Sequence, residues 1–146
     1  MAHLAFRGHI PGDLLYDTEY DMWVRWCNAG GDEVLIGATS FGLFLAGEII
    51  AFTAKPQGSD CQIGRGIGTV ESAKTVLAVH APVSIVLLQA NEEIETTPAI
   101  LGRDPYVDGW LVRGRATAWA HEREHLVDAS AYRAHVLRVE PGAEFL

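Results

Sequence analysis

Lysine is the usual target of covalent acylation, whereas arginine keeps its proton and is rarely acylated. Of the 11 basic residues in the chain only Lys55 and Lys74 are lysines, so acyl-lysine chemistry has two possible addresses. Lys55 precedes Pro56 at the end of an apolar run. Lys74 stands in Val70-Glu71-Ser72-Ala73-Lys74-Thr75-Val76, between two β-like runs with almost no linker. A lysine acylated by a separate enzyme, and then required to enter a partner's active site, needs the tip of a rigid, tight β-turn free of competing lysines. Lys74 meets each condition.

Three other patterns could do chemistry. His121-Glu122-Arg123-Glu124-His125 matches H-E-x-x-H, in which two histidines one helical turn apart hold zinc and the glutamate acts as general base. A zinc peptidase using His121, Glu122 and His125 is therefore the alternative from another class. Such a site needs a third ligand and a cleft beside a buried helix, and with charges between the histidines a solvated helix face is the simpler reading. Gly64-Arg65-Gly66-Ile67-Gly68 resembles half of a dinucleotide loop, but β-like residues follow it where a helix is required, so turns and close packing account for the glycines. Trp23 with Trp26, and Trp110 with Trp119, could line a site but read as core. No metal site is expected.

The elements that must position Lys74 are short. Trp23–Cys27 and Glu33–Gly37 read as a hairpin across the turn Asn28 to Asp32, and Thr39–Leu45 as one or two helical turns capped by Thr39 or Ser40. Strands are expected at Glu48–Thr53, Ile67–Ser72, Thr75–His80, Val83–Leu88 and Trp110–Gly114. An acidic loop follows Asn91, then a helical turn near Pro98–Gly102 capped by Thr96 or Thr97. Ala116 to Val136 is helical in pattern. Many short strands in one small domain suggest a sandwich or barrel, mostly β, with a C-terminal helical segment.

One hundred and forty-six residues make one domain, with residues 1–13 expected as an N-terminal arm and 14–146 as the domain proper. A hydrophobic content of 49% and a charged content of 21% indicate a packed globular chain. The net charge of -8 disfavours nucleic acid as a partner. With no apolar run long enough to span a bilayer and no signal-like start, no membrane association is expected and the cytoplasm is the default location. Cys27 and Cys61 are then expected to be reduced.

The series Glu71-Ser72-Ala73-Lys74, Ala81-Pro82-Val83-Ser84, Asn91-Glu92, Thr97-Pro98, Asp104-Pro105-Tyr106 and Gly109-Trp110-Leu111 resembles, in order and nearly in spacing, the signature of the glycine cleavage system H-protein family. Leu15-Tyr16, Trp23-Val24, Ile36-Gly37 with Thr39, and Gly47-Glu48-Ile49 continue it upstream. The resemblance implies a lipoyl/biotinyl-type barrel-sandwich hybrid and a non-catalytic lipoyl carrier. Lipoic acid would be joined by an amide to Lys74, with Glu71, Ser72 and Ala73 serving recognition and the turn. It implies as partners a lipoate ligase or lipoyl transferase, and lipoamide dehydrogenase.

The chain departs from the family pattern at Asp21-Met22, where the family reads H-E before Trp, at Ile85, where it has Gly, and at Arg65. Ile10–Asp17 and Ala46–Ile50 look more like the lipoate-binding proteins of the sulfur-oxidising heterodisulfide-reductase-like system. On that finer reading the chain carries sulfur intermediates to a heterodisulfide-reductase-like complex. Its arm would be reduced by lipoamide dehydrogenase but would not support glycine decarboxylation. The alternative is the aminomethyl carrier of the glycine cleavage system, with the glycine cleavage enzymes as partners. A β-branched residue disfavours positive φ, so Ile85 is expected in an ordinary β conformation with its side chain packed.

Overall fold

The computed structural model describes residues 4–27 and 32–146. Of the turn expected at Asn28 to Asp32, all but Asp32 lies outside the described residues. The strands are β1 (Arg7–Gly8), β2 (Leu15–Asp17), β3 (Met22–Trp26), β4 (Glu33–Ala38), β5 (Ile49–Ala54), β6 (Asp60–Cys61), β7 (Gly66–Ser72), β8 (Val76–His80), β9 (Ile85–Ala90), β10 (Val112–Ala116) and β11 (Glu144–Phe145). The helices are α1 (Ser40–Ala46), α2 (Glu92–Thr96), α3 (Ile100–Arg103), α4 (Trp119–Glu122) and α5 (Ala129–Val139).

Six strands pair in the order β2-β3-β4-β10-β9-β6 and three in the order β5-β7-β8, every pairing antiparallel. Alternation of period two turns one face of each sheet into a shared core. Val24, Ile36, Leu87 and Val112 of the large sheet meet Phe52, Ile67, Val70 and Val79 of the small one in a single core. The fold is thus mostly β and consistent with the barrel-sandwich hybrid. Among the described residues no helix is long and apolar enough to cross a membrane.

A second apolar cluster lies beyond the large sheet, where Phe6, Ile10 and Leu14 pack with Trp23, Tyr106 and Tyr132 of α5. The described part of the first thirteen residues is therefore packed rather than loose. Parallel pairing of β1 with β11 closes this end, a contact between chain ends that no local pattern announces.

Two stretches differ from expectation. The acidic loop after Asn91 is helix α2. Asn91 caps it by accepting the Glu93 N–H at 3.1 Å, and Glu92, Glu93 and Glu95 in its first turn complement the positive end of the helix. The next helix, α3, has no side-chain cap, so neither Thr96 nor Thr97 serves as one. The long C-terminal helix is instead the end of β10, then α4, a 3-10 turn at Arg123–His125, and α5. Helical periodicity fails here because Val127 is taken into the sheet edge. It exchanges two 2.8 Å backbone hydrogen bonds with Tyr16, and Asp128 then starts α5 by accepting the Ala131 N–H.

Ile85 lies in β9, fully buried, and is not among the positive-φ residues. Its register partner on β10 is Ala116, and its side chain fits because the diagonal position is Gly114, where a Cβ would come within 2.6 Å of the Ile85 side chain. Gly114→Ala is expected to cost about 1–3 kcal/mol through overpacking, read as a lower urea midpoint at unchanged slope. An unchanged midpoint would mean that the Ile85 side chain can yield.

Candidate functional site

Lys74 sits at the reversal between β7 and β8, its side chain exposed. Ser72 builds the reversal. Its amide donates to the Thr75 carbonyl at 2.8 Å, and its buried hydroxyl oxygen receives the Lys74 and Thr75 amides at 3.3 and 3.2 Å. Local hydroxyl-to-backbone bonds of this kind hold a turn that would otherwise fray. Glu71 is exposed and pairs across the sheet with Ala51 and Val76, while Ala73 supplies the small exposed step before the lysine. Lys55 is placed differently. It follows β5, with its amide tied to the Ile67 carbonyl at 2.9 Å, and its ammonium lies near Gly66 at the opposite end of β7.

Strand β8 runs from the lysine into the wall of a cleft of about 210 Å³. Leu77 and Val79 of β8, Met22 of β3 and Leu43 of α1 line it, and Tyr20, Asp21 and His80 add the polar groups. Tyr20 and His80 stack with ring centroids 4.0 Å apart, which joins the loop before β3 to the lysine-bearing hairpin. Asp21 adopts φ 58°, a left-handed conformation that aspartate tolerates better than most residues. Its carbonyl receives the Thr39 amide at 3.0 Å, and Gly42 leaves the room, since a Cβ there would lie 3.0 Å from Asp21.

The Asp21 carboxylate is reached from the far end of the chain. The Tyr132 hydroxyl donates to its Oδ1 at 2.8 Å, and His135 Nε2 lies 3.5 Å away. With its proton committed to Asp21, Tyr132 accepts from the Thr39 hydroxyl at 2.7 Å, and that oxygen in turn receives the Gly42 amide at 3.0 Å. Burial raises the Asp21 carboxyl above the usual range, opposed by the Tyr132 hydrogen bond and by His135. Burial also raises the Tyr132 hydroxyl, and the neighbouring Asp21 charge adds to the effect, which keeps it a donor. Tyr20, His80, Tyr132 and His135 carry no sequence signal as a group, because the fold brings them together from three distant segments.

The H-E-x-x-H stretch is not one helix face. It crosses from α4 into the 3-10 turn, and the His121 and His125 rings stand 6.2 Å apart at 88°. Nor is Glu122 solvated, as a polar helix face would require. It is buried, and its two oxygens accept the Ser84 amide and hydroxyl, each at 2.7 Å. The carboxylate a zinc peptidase would use as base is thus consumed in structure. Among the described residues no three His, Cys, Asp or Glu side chains are grouped to hold a metal. Gly64 makes a turn at φ 81°, its amide on the Ala81 carbonyl. Of the tryptophans, Trp26 stacks on Trp119 at 4.5 Å, while Trp23 is buried with its indole N–H on the Pro105 carbonyl. Cys27 and Cys61 are both free thiols.

Residues 14–138 match the family profile described as Glycine cleavage H-protein. Over 129 residues, covering 87% of this chain and 96% of the relative, the sequence is 35% identical to the glycine cleavage system H protein of Mycolicibacterium vanbaalenii. Over 128 residues, 88% and 98% of the two chains, it is 31% identical to that of Bacteroides thetaiotaomicron. The crystal structure of a glycine cleavage system H protein from Mycobacterium marinum superposes with a TM-score of 0.73 at 31% identity, covering 86% of this chain and 97% of the other. With the Lys74 hairpin, the two-sheet fold and these matches in agreement, the chain belongs to the glycine cleavage H-protein family, whose members are non-catalytic lipoyl carriers.

Proposed function

We propose that the chain is the lipoyl carrier of a glycine cleavage system, with lipoic acid attached by an amide to Lys74. The observation that carries this reading is an exposed lysine on a Ser72-pinned turn, whose strand leads directly into a cleft with a single carboxylate. The residues fit the group: Lys74 is free to be acylated, and Leu77 and Met22 offer apolar walls to an alkyl arm. When bound, lipoate supplies a dithiolane that cycles between disulfide and dithiol and can hold a group on one sulfur. The protein contributes position and shelter. Tethering raises the effective concentration of the cargo at each partner, and Asp21 offers an amine cargo a counter-charge away from bulk water. Glu71 stands beside the turn as a recognition residue for a lipoate ligase or lipoyl transferase.

The sulfur-oxidising reading, and the heterodisulfide-reductase-like complex as partner, give way here. The relatives named above are glycine cleavage proteins that cover most of this chain. The departure at Asp21-Met22 also loses its force, because Asp21 itself lines the cleft as an acidic group. In the exchange of carbon dioxide with glycine catalysed by a glycine decarboxylase, the lipoylated protein is expected to act at a rate comparable to a genuine H-protein control, and Asp21→Asn to act more slowly. A lipoylated protein that lipoamide dehydrogenase reduces but that gives no exchange would restore the sulfur alternative.

A further inference from the structure

Helix α5 packs in the second apolar cluster, beyond the large sheet, yet two of its side chains reach a group that lines the cleft. Tyr132 and His135 lie three residues apart, on one face of the helix, with ring centroids 5.7 Å apart. Both meet the same oxygen of Asp21, Oδ1, the Tyr132 hydroxyl at 2.8 Å and His135 Nε2 at 3.5 Å. Oδ2 has no partner among the described residues, and it is not one of their buried polar atoms left unsatisfied, of which there is only Arg113 Nε. That oxygen is therefore in reach of solvent.

The hold on Oδ1 is rigid. Tyr132 is fully buried and its ring stacks on Tyr16 with centroids 4.7 Å apart, while Thr39, the cap of α1, meets its hydroxyl from the other side at 2.7 Å. Asp21 itself keeps a left-handed backbone at φ 58°, a conformation that a non-glycine residue holds where its surroundings enforce it and that clusters at functional sites. An acid needed only to tie a helix to the sheet is satisfied on both oxygens, as Glu122 is by Ser84. Asp21 is satisfied on one.

We propose that Tyr132 and His135 are positioning residues for the cargo of the arm: they hold Oδ1 of Asp21 so that Oδ2 is the oxygen presented to an amine in the cleft, which makes α5 part of the site. This rests on the reading of Asp21 as the counter-charge. The other titratable groups around Asp21 are Asp17 of β2 and, in the cleft, Tyr20 and His80, and no hydrogen bond joins any of them to its carboxylate. Burial pushes that carboxyl up and the two α5 groups push it back down. Losing either group therefore lets Asp21 take up a proton at a higher pH.

The test uses the full lipoylated chain, loaded by glycine and a glycine decarboxylase. In loading, the glycine carboxyl leaves as carbon dioxide and the dithiolane S–S bond is reduced, one sulfur taking the aminomethyl group and the other a proton. Intact mass identifies the loaded protein, the decarboxylase is removed, and loss of the group is followed by mass. Water then cleaves the S–C bond, releasing formaldehyde and ammonia and returning the sulfur to a thiol. Tyr132→Phe keeps the ring stack and removes only the hydroxyl, and it is expected to speed the loss severalfold. His135→Ala acts in the same direction, and His135→Gln, which keeps an N–H donor, stays closer to the parent. In an Asp21→Asn background neither Tyr132→Phe nor His135→Ala should add anything, whereas a merely structural role would speed the loss with either residue at position 21. In a pH series the advantage of the parent over Asp21→Asn disappears as the pH falls and Asp21 is protonated, and for Tyr132→Phe it disappears at a higher pH. Loss that Asp21→Asn speeds but Tyr132→Phe and His135→Ala do not, or an effect of these two that persists in Asp21→Asn, would overturn the positioning role and leave the carrier reading intact. Loss that Asp21→Asn does not change would overturn the counter-charge reading and the positioning role with it.

Discussion

Lys74→Arg is expected to abolish lipoylation completely, while Lys55→Arg leaves it intact. The measurement is intact mass after expression with a competent lipoate ligase: one increment in the parent and in Lys55→Arg, none in Lys74→Arg. The effect is all or none because arginine offers no acylable amine and the chain has a single other lysine. The two lysines differ in presentation. Lys74 stands at a reversal whose amides are held by Ser72, so a ligase meets a fixed, protruding target. Lys55 follows a strand and lies along the sheet beside Gly66. Ser72→Ala removes the hydroxyl acceptor but not the lysine, and slower modification of a folded variant is the expected result. An increment that followed Lys55 would overturn the assignment.

The hairpin was legible in the sequence because every determinant of it is local. Alternation marks β7 and β8, and the turn lies between them. The Thr39 cap of α1 belongs to the same class, needing only its neighbours. What was not legible is long-range. The Asp21 carboxylate is held by Tyr132, 111 residues away, which donates to it. The broken C-terminal helix has the same origin, since apolar residues at helical spacing cannot report that Val127 pairs with Tyr16. Helix α2 is different, a local signal read the wrong way. Three glutamates after Asn91 read as a loop by charge, yet at the positive end of a helix that charge is favourable.

The second large effect belongs to Glu122, the residue that the H-E-x-x-H pattern would cast as a catalytic base. Its carboxylate is buried and accepts both the amide and the hydroxyl of Ser84, and the Ser84 oxygen in turn receives the Ile63 amide at 2.9 Å. The network therefore ties α4 to the turn that separates β8 from β9, at the end of the lysine-bearing strand opposite Lys74. Glu122→Ala leaves the Ser84 amide without its acceptor in a buried place. Hydrogen bonds to a charged group contribute about 1.5–3 kcal/mol each, so a loss of about 2–4 kcal/mol is expected after relaxation. In a domain of this size that lowers the melting temperature by roughly 5–15 °C. Glu122→Gln keeps one carbonyl acceptor for the amide and is expected to lose less. Ser84→Ala combined with Glu122→Ala should cost less than the sum of the two, because each removes the other's partner. A zinc centre makes the opposite forecast: chelator would lower the melting temperature of the parent, and Glu122→Ala, which removes no ligand, would leave it unchanged. Thermal denaturation of parent and variants, with and without chelator, separates the two, and a melting temperature that chelator moves and Glu122→Ala does not would return the stretch to metal chemistry.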